Sequence, residues 1–146
     1  MADDIYTLAH TGAQTDDLLG KEDTTTARVI SHTGADGWEI TRWSNNRVEM
    51  VKRIQTDIAC TKPLQTGLYG LENPVEVTLP PGHITSIMGI YITVLAGSTY
   101  LLNGQISGFD SAAGTFSWSV VSSWQNTFTD RYVFFRIIGW NTGGNT

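Results

Sequence analysis

The sequence predicts an all-β protein, an antiparallel β-sandwich of about seven or eight strands behind a short extended leader. Five Trp, five Tyr and five Phe accompany fifteen Gly among 146 residues, a composition typical of strands and turns. Several segments place apolar side chains at every second position, between clusters of turn-forming residues. The 40% hydrophobic content excludes an intrinsically disordered chain, and the length fits one compact domain.

Residues 1–36 are expected to form the leader, because their few apolar side chains cannot bury a core. Residues 1–37 carry seven acidic and two basic side chains, which accounts for the whole net charge of −5. A sequence-independent nucleic-acid binder needs a basic surface, so no nucleic-acid partner is expected. The first residues lack the pattern of a signal peptide, and Arg136 interrupts the longest apolar stretch. Neither classical secretion nor membrane insertion is therefore expected.

The sandwich domain is predicted to span residues 37–140 and to begin with a β-hairpin. Trp38, Ile40 and Arg42 alternate with Glu and Thr in its first strand. Its second strand places one set of side chains on a single face: Val48, Met50, Lys52, Ile54 and Ile58. The Asn45-Asn46 pair between the strands predicts a type I′ turn, since Asn tolerates positive φ.

Five more strands are predicted, at Val75 to Leu79, Ile84 to Leu95, Thr99 to Ser107, Thr115 to Ser122 and Tyr132 to Ile138. The strand at 115–122 alternates without exception, so one of its faces is expected in the core and the other in water. Residues 141–146 are expected to form a flexible C-terminal tail.

The strands at 87–95 and 132–138 are apolar on both faces, although a sandwich buries only one face of each sheet. Their second face needs another cover, which a neighbouring copy of the chain would provide. The candidate subunit contacts are Ile90, Ile92, Val133, Phe135 and Ile137. The only cysteine, Cys60, removes any intrachain disulfide, so stability must come from core burial or oligomerisation, and assembly in a reducing cytoplasm is expected.

The segment Gly37-Trp38-Glu39-Ile40-Thr41-Arg42-Trp43-Ser44-Asn45-Asn46-Arg47-Val48-Glu49-Met50 resembles the opening hairpin of C-terminal domains in phage tail-fibre and minor structural proteins. It departs from that pattern by having Ile40 at the second aromatic position and no glycine in its turn. The downstream order is also similar: a Pro-flanked strand, two long apolar strands, a Phe-x-Trp strand, and the closing Ile137-Ile138-Gly139-Trp140. The resemblance covers residues 37–140.

The resemblance implies a homotrimeric fibre or spike of a phage virion, assembled in the cytoplasm of the bacterial host. Its β-sandwich would contact the host surface without catalysis, and its leader would form a stalk or bind other virion proteins. Placement on the tail or on the capsid is left open. The alternatives are a purely structural decoration, baseplate or capsid fibre protein, a monomeric carbohydrate-binding module, and a depolymerase.

Trp124 lies with Gln125 and Asn126 in a polar segment between two predicted strands. An exposed Trp ring can cover the C–H surface of a sugar while neighbouring amides bond its hydroxyls, so these residues are candidate receptor contacts for a host glycan. Asp110 and Asn103, in neighbouring candidate loops, are expected to join them. The alternative is that Trp124 folds back with Phe128 and caps the sandwich.

No motif of the sequence predicts catalysis. There is no Gly-x-Ser-x-Gly elbow and no Cys-His constellation, and no carboxylate pair stands out from ordinary surface charges. The three histidines are expected in solvated loops rather than in a metal site. We therefore expect no catalytic residue, no metal site and no cofactor.

Overall fold

The computed structural model describes residues 27–95, 97 and 101–143. This part of the chain contains ten strands and no helix, in two antiparallel sheets, which confirms the predicted all-β sandwich. Accordingly, it has no helix that could cross a membrane. The strands are β1 (Val29–Ala35), β2 (Trp38–Trp43), β3 (Arg47–Cys60), β4 (Lys62–Gln65), β5 (Leu68–Gly70), β6 (Val75–Thr78), β7 (Ser86–Leu95), β8 (Leu102–Asp110), β9 (Thr115–Ser122) and β10 (Asn126–Trp140).

The two sheets are built around one long central strand each. Sheet A has the order β1-β2-β3-β10-β7, so β10 lies between β3 and β7. In sheet B, β8 pairs along the whole length of β9, while β5 and β6 pair with different parts of its other edge. Strand β4 extends sheet B by pairing with β5. Each sheet therefore has one inner face toward the core and one outer face.

The core is an aromatic cluster that joins the inner faces of the two sheets. The Phe135 ring of sheet A lies 5.4 Å from Phe116 and 5.7 Å from Trp118 of sheet B, both edge-on. Trp38 of β2 lies 6.3 Å from Phe116. Such edge-to-face pairs add roughly 0.5–1.5 kcal/mol each to the stabilisation that burial provides. The predicted alternation of β9 is confirmed, because its even-numbered side chains from Phe116 onward are buried and its odd-numbered ones are partly exposed.

The hairpin of β2 and β3 forms as predicted, but its turn is of another type. The Asn46 amide donates to the Trp43 carbonyl at 3.0 Å, so Ser44 and Asn45 are the central residues of the turn. Asn46 alone has positive φ, 68°, whereas a type I′ turn requires positive φ at both central residues. The loop is thus a three-residue connection with Asn46 in the left-handed position, and the Asn45 Oδ1 accepts from the Arg47 amide at 3.1 Å.

The later strands occur near the predicted positions, with shifted ends. Strand β10 begins at Asn126 rather than at Tyr132, because a bulge between Phe128 and Arg131, with Asp130 at positive φ, lets pairing with β3 continue across it. Thr99, the predicted start of the strand that corresponds to β8, lies outside the described residues. Strands β4 and β5 were not predicted from the sequence, since the four side chains of β4 are all exposed and show no alternation.

The predicted domain boundaries require two corrections. Residues 29–35 are not leader but strand β1, which pairs with β2 at the edge of sheet A. Residues 141–143 are not a free tail, because Asn141 is buried and its Nδ2 donates to the carbonyls of Gly82 and His83 at 3.2 Å. Residues 1–26 and 144–146 of the predicted leader and tail lie outside the described part of the chain.

The candidate subunit contacts lie on the inner face of sheet A. Val133, Phe135 and Ile137 are 0%, 1% and 0% exposed within one copy of the chain, and Ile90 and Ile92 pack against the same core. The three β10 side chains therefore cannot present a surface to another copy, and the two isoleucines of β7 are only partly exposed. Side chains alternate between the two faces along a strand, so the residues next to these in β7 and β10 lie on the outer, accessible face.

Candidate functional site

The Trp124 loop is the short connection between β9 and β10. It is held by Ser122, a buried residue whose hydroxyl donates to the Trp124 carbonyl at 2.8 Å and accepts from the Trp124 amide at 3.0 Å. Both backbone groups of Trp124 are thus fixed by one side chain. The loop holds Trp124 in place before any ligand binds, which lowers the entropy lost on binding.

Trp124 combines the two roles that the sequence left open. Its indole contacts the buried Phe128 edge-on, with ring centroids 6.2 Å apart and planes at 75°. The side chain nevertheless remains 42% exposed, unlike the buried Trp38 and Trp118. One part of the ring therefore caps the end of the sandwich, while the rest presents an apolar surface to solvent.

Gln125 and Asn126 differ in their contacts with the rest of the protein. The Gln125 Nε2 donates to the Thr61 carbonyl at 2.9 Å, so this side chain braces the loop against the end of β3. Asn126 is the first residue of β10, opposite Cys60, and is half-buried. Gln125 is thus exposed but held by the fold through its Nε2, whereas Asn126 lies partly under the surface.

Strand β8 brings two more residues to this end of the molecule. The Ser123 amide donates to the Leu101 carbonyl at 3.3 Å, and the Leu101 amide donates to the Ser123 hydroxyl at 3.3 Å. Leu101 is 58% exposed, and Asn103 is exposed opposite Val121 on the outer face of sheet B. We use the term Trp124 surface for the set Leu101, Asn103, Trp124, Gln125 and Asn126.

Asp110 does not belong to the Trp124 surface, contrary to the sequence-based expectation. It ends β8 at the turn into β9, seven residues beyond Asn103, which places it about 23 Å away along the strand. Its Oδ1 accepts from the amides of Ala112 at 2.9 Å and Ala113 at 3.0 Å. Asp110 therefore stabilises the β8–β9 turn, where Gly114 adopts positive φ.

The titratable groups of the described residues offer little chemistry near this surface. No three His, Cys, Asp or Glu side chains of that part of the chain are grouped as metal ligands. His32 lies in β1, not in a loop, and its Nδ1 is 2.9 Å from the Thr41 hydroxyl. Burial raises the pKa of the Cys60 thiol to about 11, so it stays protonated and unreactive near neutral pH.

Several grooves lie on the surface of the described residues away from Trp124. One, of about 830 Å³, crosses the outer face of sheet A between Glu39, Arg53, Tyr91, Phe134 and Arg136. Another, of about 450 Å³, lies between the Pro80-Pro81-Gly82 segment and the β8–β9 turn. The third, of about 520 Å³, separates the second half of β3 from residues 71–75. No local sequence pattern predicts the first groove, since its residues come from strands far apart in the chain.

Comparisons with known proteins reveal a likeness in fold. The chain resembles the R1 pyocin fibre of P. aeruginosa, solved as C-terminal residues 323–701, with a TM-score of 0.50 and 11% sequence identity over 90% of this chain. An N-truncated R1-type pyocin tail fibre aligns over 90% of this chain and 98% of its own, with 11% identity and a TM-score of 0.46. The chain matches no family model and no curated protein sequence.

The first of these likenesses extends over most of this chain but only 32% of the pyocin fibre chain. It shows that the fold of this protein also occurs in a fibre of a phage-tail-like particle. This confirms, at the level of fold, what the resemblance to phage tail-fibre domains implied.

Proposed function

We propose that this chain is a structural subunit of a phage or phage-tail-like fibre, which binds a host-surface glycan through the Trp124 surface and performs no catalysis. The observation that carries the proposal is a 42% exposed Trp on a loop held by a buried serine, in a fold that also occurs in a pyocin fibre. The chain would act as a homotrimer whose residues ahead of β1 bind other virion proteins.

The composition of the Trp124 surface favours a sugar ligand. Indole and Leu101 supply an apolar platform, and Asn103 and Asn126 supply amide donors and acceptors at its margin. A pyranose ring presents C–H groups on its faces and hydroxyls at its rim, so it meets both kinds of group at once. An anionic ligand is less favoured, because none of the five residues is charged.

Weak sites suffice for such a function when they are repeated. Three copies on one fibre, and several fibres on one particle, would raise avidity by about 10²–10⁴ over a single site. A shallow, solvent-open surface without a deep pocket is therefore adequate for host attachment.

The experiment is a binding measurement with the full chain on whole bacterial cells and on an array of bacterial surface polysaccharides. We expect Trp124→Ala to weaken binding at least tenfold, since the indole supplies most of the apolar contact. Phe109→Ala is the matched control, because Phe109 is 46% exposed but lies near the far end of β8. Equal binding by wild type and Trp124→Ala would contradict the assignment of the surface.

The non-catalytic part of the proposal has its own measurement. Polysaccharide that the full chain binds is incubated with it, and new reducing ends are quantified. We expect none above the level of a heat-denatured sample. A sustained release of reducing ends would favour a depolymerase instead.

A second candidate, a decoration or baseplate protein with a purely structural role, is favoured by the exposed aromatic residues on the outer face of sheet A, including Tyr91 and Phe134. Such a surface would bind another virion protein rather than a glycan. Retention of full cell binding by Trp124→Ala, together with loss of particle assembly on changing Phe134, would support this candidate.

A further inference from the structure

The outer face of sheet A carries a group of exposed apolar side chains at its β7–β10 edge. We call this group the outer apolar cluster; its members and exposures are Met88 61%, Tyr91 52%, Leu95 49%, Tyr132 37% and Phe134 36%. All five come from the strands that the sequence marked as apolar on both faces. Their partners on the inner face form the core, so the cluster has no role in burying the interior of one copy.

The register of the sheet makes these side chains contiguous. Leu95 lies directly opposite Tyr132. Two residues further along β10, Phe134 lies opposite Thr93. Tyr91 lies opposite Arg136. A bulge opposite Ile138 and Gly139 leaves Met88 without a partner in β10 and exposes it at the end of the same strand.

We propose that the outer apolar cluster is the surface through which copies of this chain pack together. The inference rests on the proposed fibre function and specifies the face that would form the subunit contact. Its occupant is a second copy of the same chain. The inner-face residues Val133, Phe135 and Ile137 are replaced in this role by the outer neighbours Tyr132, Phe134 and Arg136.

The exposed area suits a contact between proteins. An aromatic side chain contributes about 150–250 Å², so the five members at their observed exposures present on the order of 400–500 Å² of side-chain surface. A patch of this size is near the upper range for a monomer and about half of the ~800 Å² that one partner gives to a standard interface. The flanking Val51, Arg53, Thr93 and Arg136 extend the same groove.

The residue types are those enriched at the centres of protein interfaces. Tyr, Phe, Met and Arg are over-represented there, because they offer a large apolar contact area, to which Tyr and Arg add a polar end. On this face Arg53 lies over the Tyr132 ring, with its Cζ 5.1 Å from the ring centroid. The Arg136 guanidinium donates to the Glu49 carboxylate at 3.1 Å.

The groove carries side chains of both charges. Among its cations, Arg136 pairs with Glu49 and Lys52 donates to the Asp36 carbonyl. Glu39 and Arg53 also line it, and neither forms an ion pair within the part of the chain that the structure describes. In a closed ring, each copy would offer Arg53 to one neighbour and Glu39 to the other. Residues 27–143 carry eight acidic and eight basic side chains, so this part of the chain has no net charge.

The first test is the dissociation constant of the assembly, from sedimentation velocity of the full chain over a dilution series. We expect an oligomer for wild type and at least tenfold weaker association for Phe134→Ser. Phe109→Ser is the matched control, a comparably exposed Phe near the far end of sheet B. Circular dichroism confirms that both variants retain the strand content of wild type.

A charge exchange tests the pairing itself. Arg53→Glu and Glu39→Arg are each expected to weaken association about tenfold, because like charges would meet across the contact. The double variant is expected to restore it to within about threefold of wild type. A double variant that associates no better than the two single variants would contradict the pairing.

The outcomes separate this inference from the proposed function. A monomeric wild type, or an oligomer that neither Phe134→Ser nor the charge variants weaken, overturns the outer apolar cluster as the subunit contact. Cell binding that depends on Trp124 is measured independently, so host attachment can stand when this inference fails. A wild type that associates but binds no host cells, or whose cell binding Trp124→Ala leaves unchanged, would instead overturn the proposed function alone.

Discussion

The two sheets share one core, yet their outer faces differ in chemistry. On sheet B most outward side chains of β8 and β9 are polar and include Asn103, Gln105, Ser117 and Ser119, with Val121 as an apolar exception. On sheet A the corresponding surface of β7 and β10 carries Tyr, Phe and Leu beside arginines. Water solvates the first face well, whereas the second leaves apolar area exposed.

This difference shows which outer face suits contact with water and which leaves apolar side chains uncovered. Sheet B satisfies the rule for a half-buried antiparallel sheet, with apolar residues inward and polar residues outward. Sheet A has apolar residues on both faces of two strands. The largest exposed apolar patch of a protein is often functional, and a second copy is the partner proposed above for this one.

The largest expected effect compares two neighbours on β10. Phe135→Ala removes the ring that contacts Trp38, Phe116 and Trp118, and we expect it to lower the free energy of unfolding by about 3–5 kcal/mol. Phe134→Ala leaves this core intact, so its effect should depend on protein concentration, as expected for a residue that stabilises an assembly. Urea unfolding followed by tryptophan fluorescence at two concentrations provides the measurement.

The comparison breaks down if Phe134→Ala lowers the free energy of unfolding as much as Phe135→Ala does at every concentration. Phe134 would then belong to the interior of one copy, in spite of its exposure. Phe109→Ala, on the other sheet, controls for the loss of an exposed ring.

A smaller effect is expected at Gly139, where β7 approaches β10 most closely. A Cβ on Gly139 would collide with the Ser86 carbonyl oxygen and with the Ile84 side chain. The Gly139→Ala variant must shift the start of β7 and disturb the bulge that exposes Met88, and we expect a loss of about 1–3 kcal/mol. Gly108→Ala is the control, because a Cβ there meets nothing within 4 Å. Thermal unfolding of both variants measures the difference, and equal stability would show that the approach at Gly139 is not required.

The smallest effect is a pH dependence at Cys60, where the core meets the Trp124 surface. Burial raises the pKa of this thiol from 9.0 to about 11, so the folded protein holds the thiol proton more tightly than the unfolded chain does. The free energy of unfolding should therefore be fully retained below pH 9 and fall as the pH rises from 9 toward about 11. The measurement is urea unfolding of wild type and Cys60→Ala across this range.

The variant Cys60→Ala should lack this part of the decline, and the difference between the two proteins isolates the contribution of the thiol from that of all the groups they share. A parallel decline in wild type and variant would show that the thiol ionises equally well in the folded and unfolded chains.

The sequence was sufficient wherever a local pattern carried the information. The alternation of β9 predicted both its limits and its buried face, and the β2–β3 hairpin followed from the same rule. Trp124 was found because a large aromatic stood among polar residues at a strand junction. Strands β1 and β4 were not predicted, because an edge strand joins a sheet through backbone hydrogen bonds and needs no apolar side-chain pattern.

Leu101 and Ser122 illustrate what local pattern cannot supply at the candidate site. Ser122 is one of several serines in its segment, and only its burial under the loop shows that it holds Trp124. Leu101 joins the Trp124 surface through backbone bonds to Ser123, across a hairpin of more than twenty residues. Asp110 was placed wrongly, because a predicted loop position does not show at which end of the sheet the loop lies.

The sequence by itself determined that the chain forms an antiparallel sandwich with one clean amphipathic strand and two strands apolar on both faces. These are consequences of the two-residue period of side chains along a strand. Only the tertiary structure decided that β10 lies between β3 and β7, and that Val133, Phe135 and Ile137 face inward while Tyr132 and Phe134 face outward. When both sets are apolar, the hydrophobic effect favours burying either one, so the ring contacts across the two sheets select the face that becomes the core.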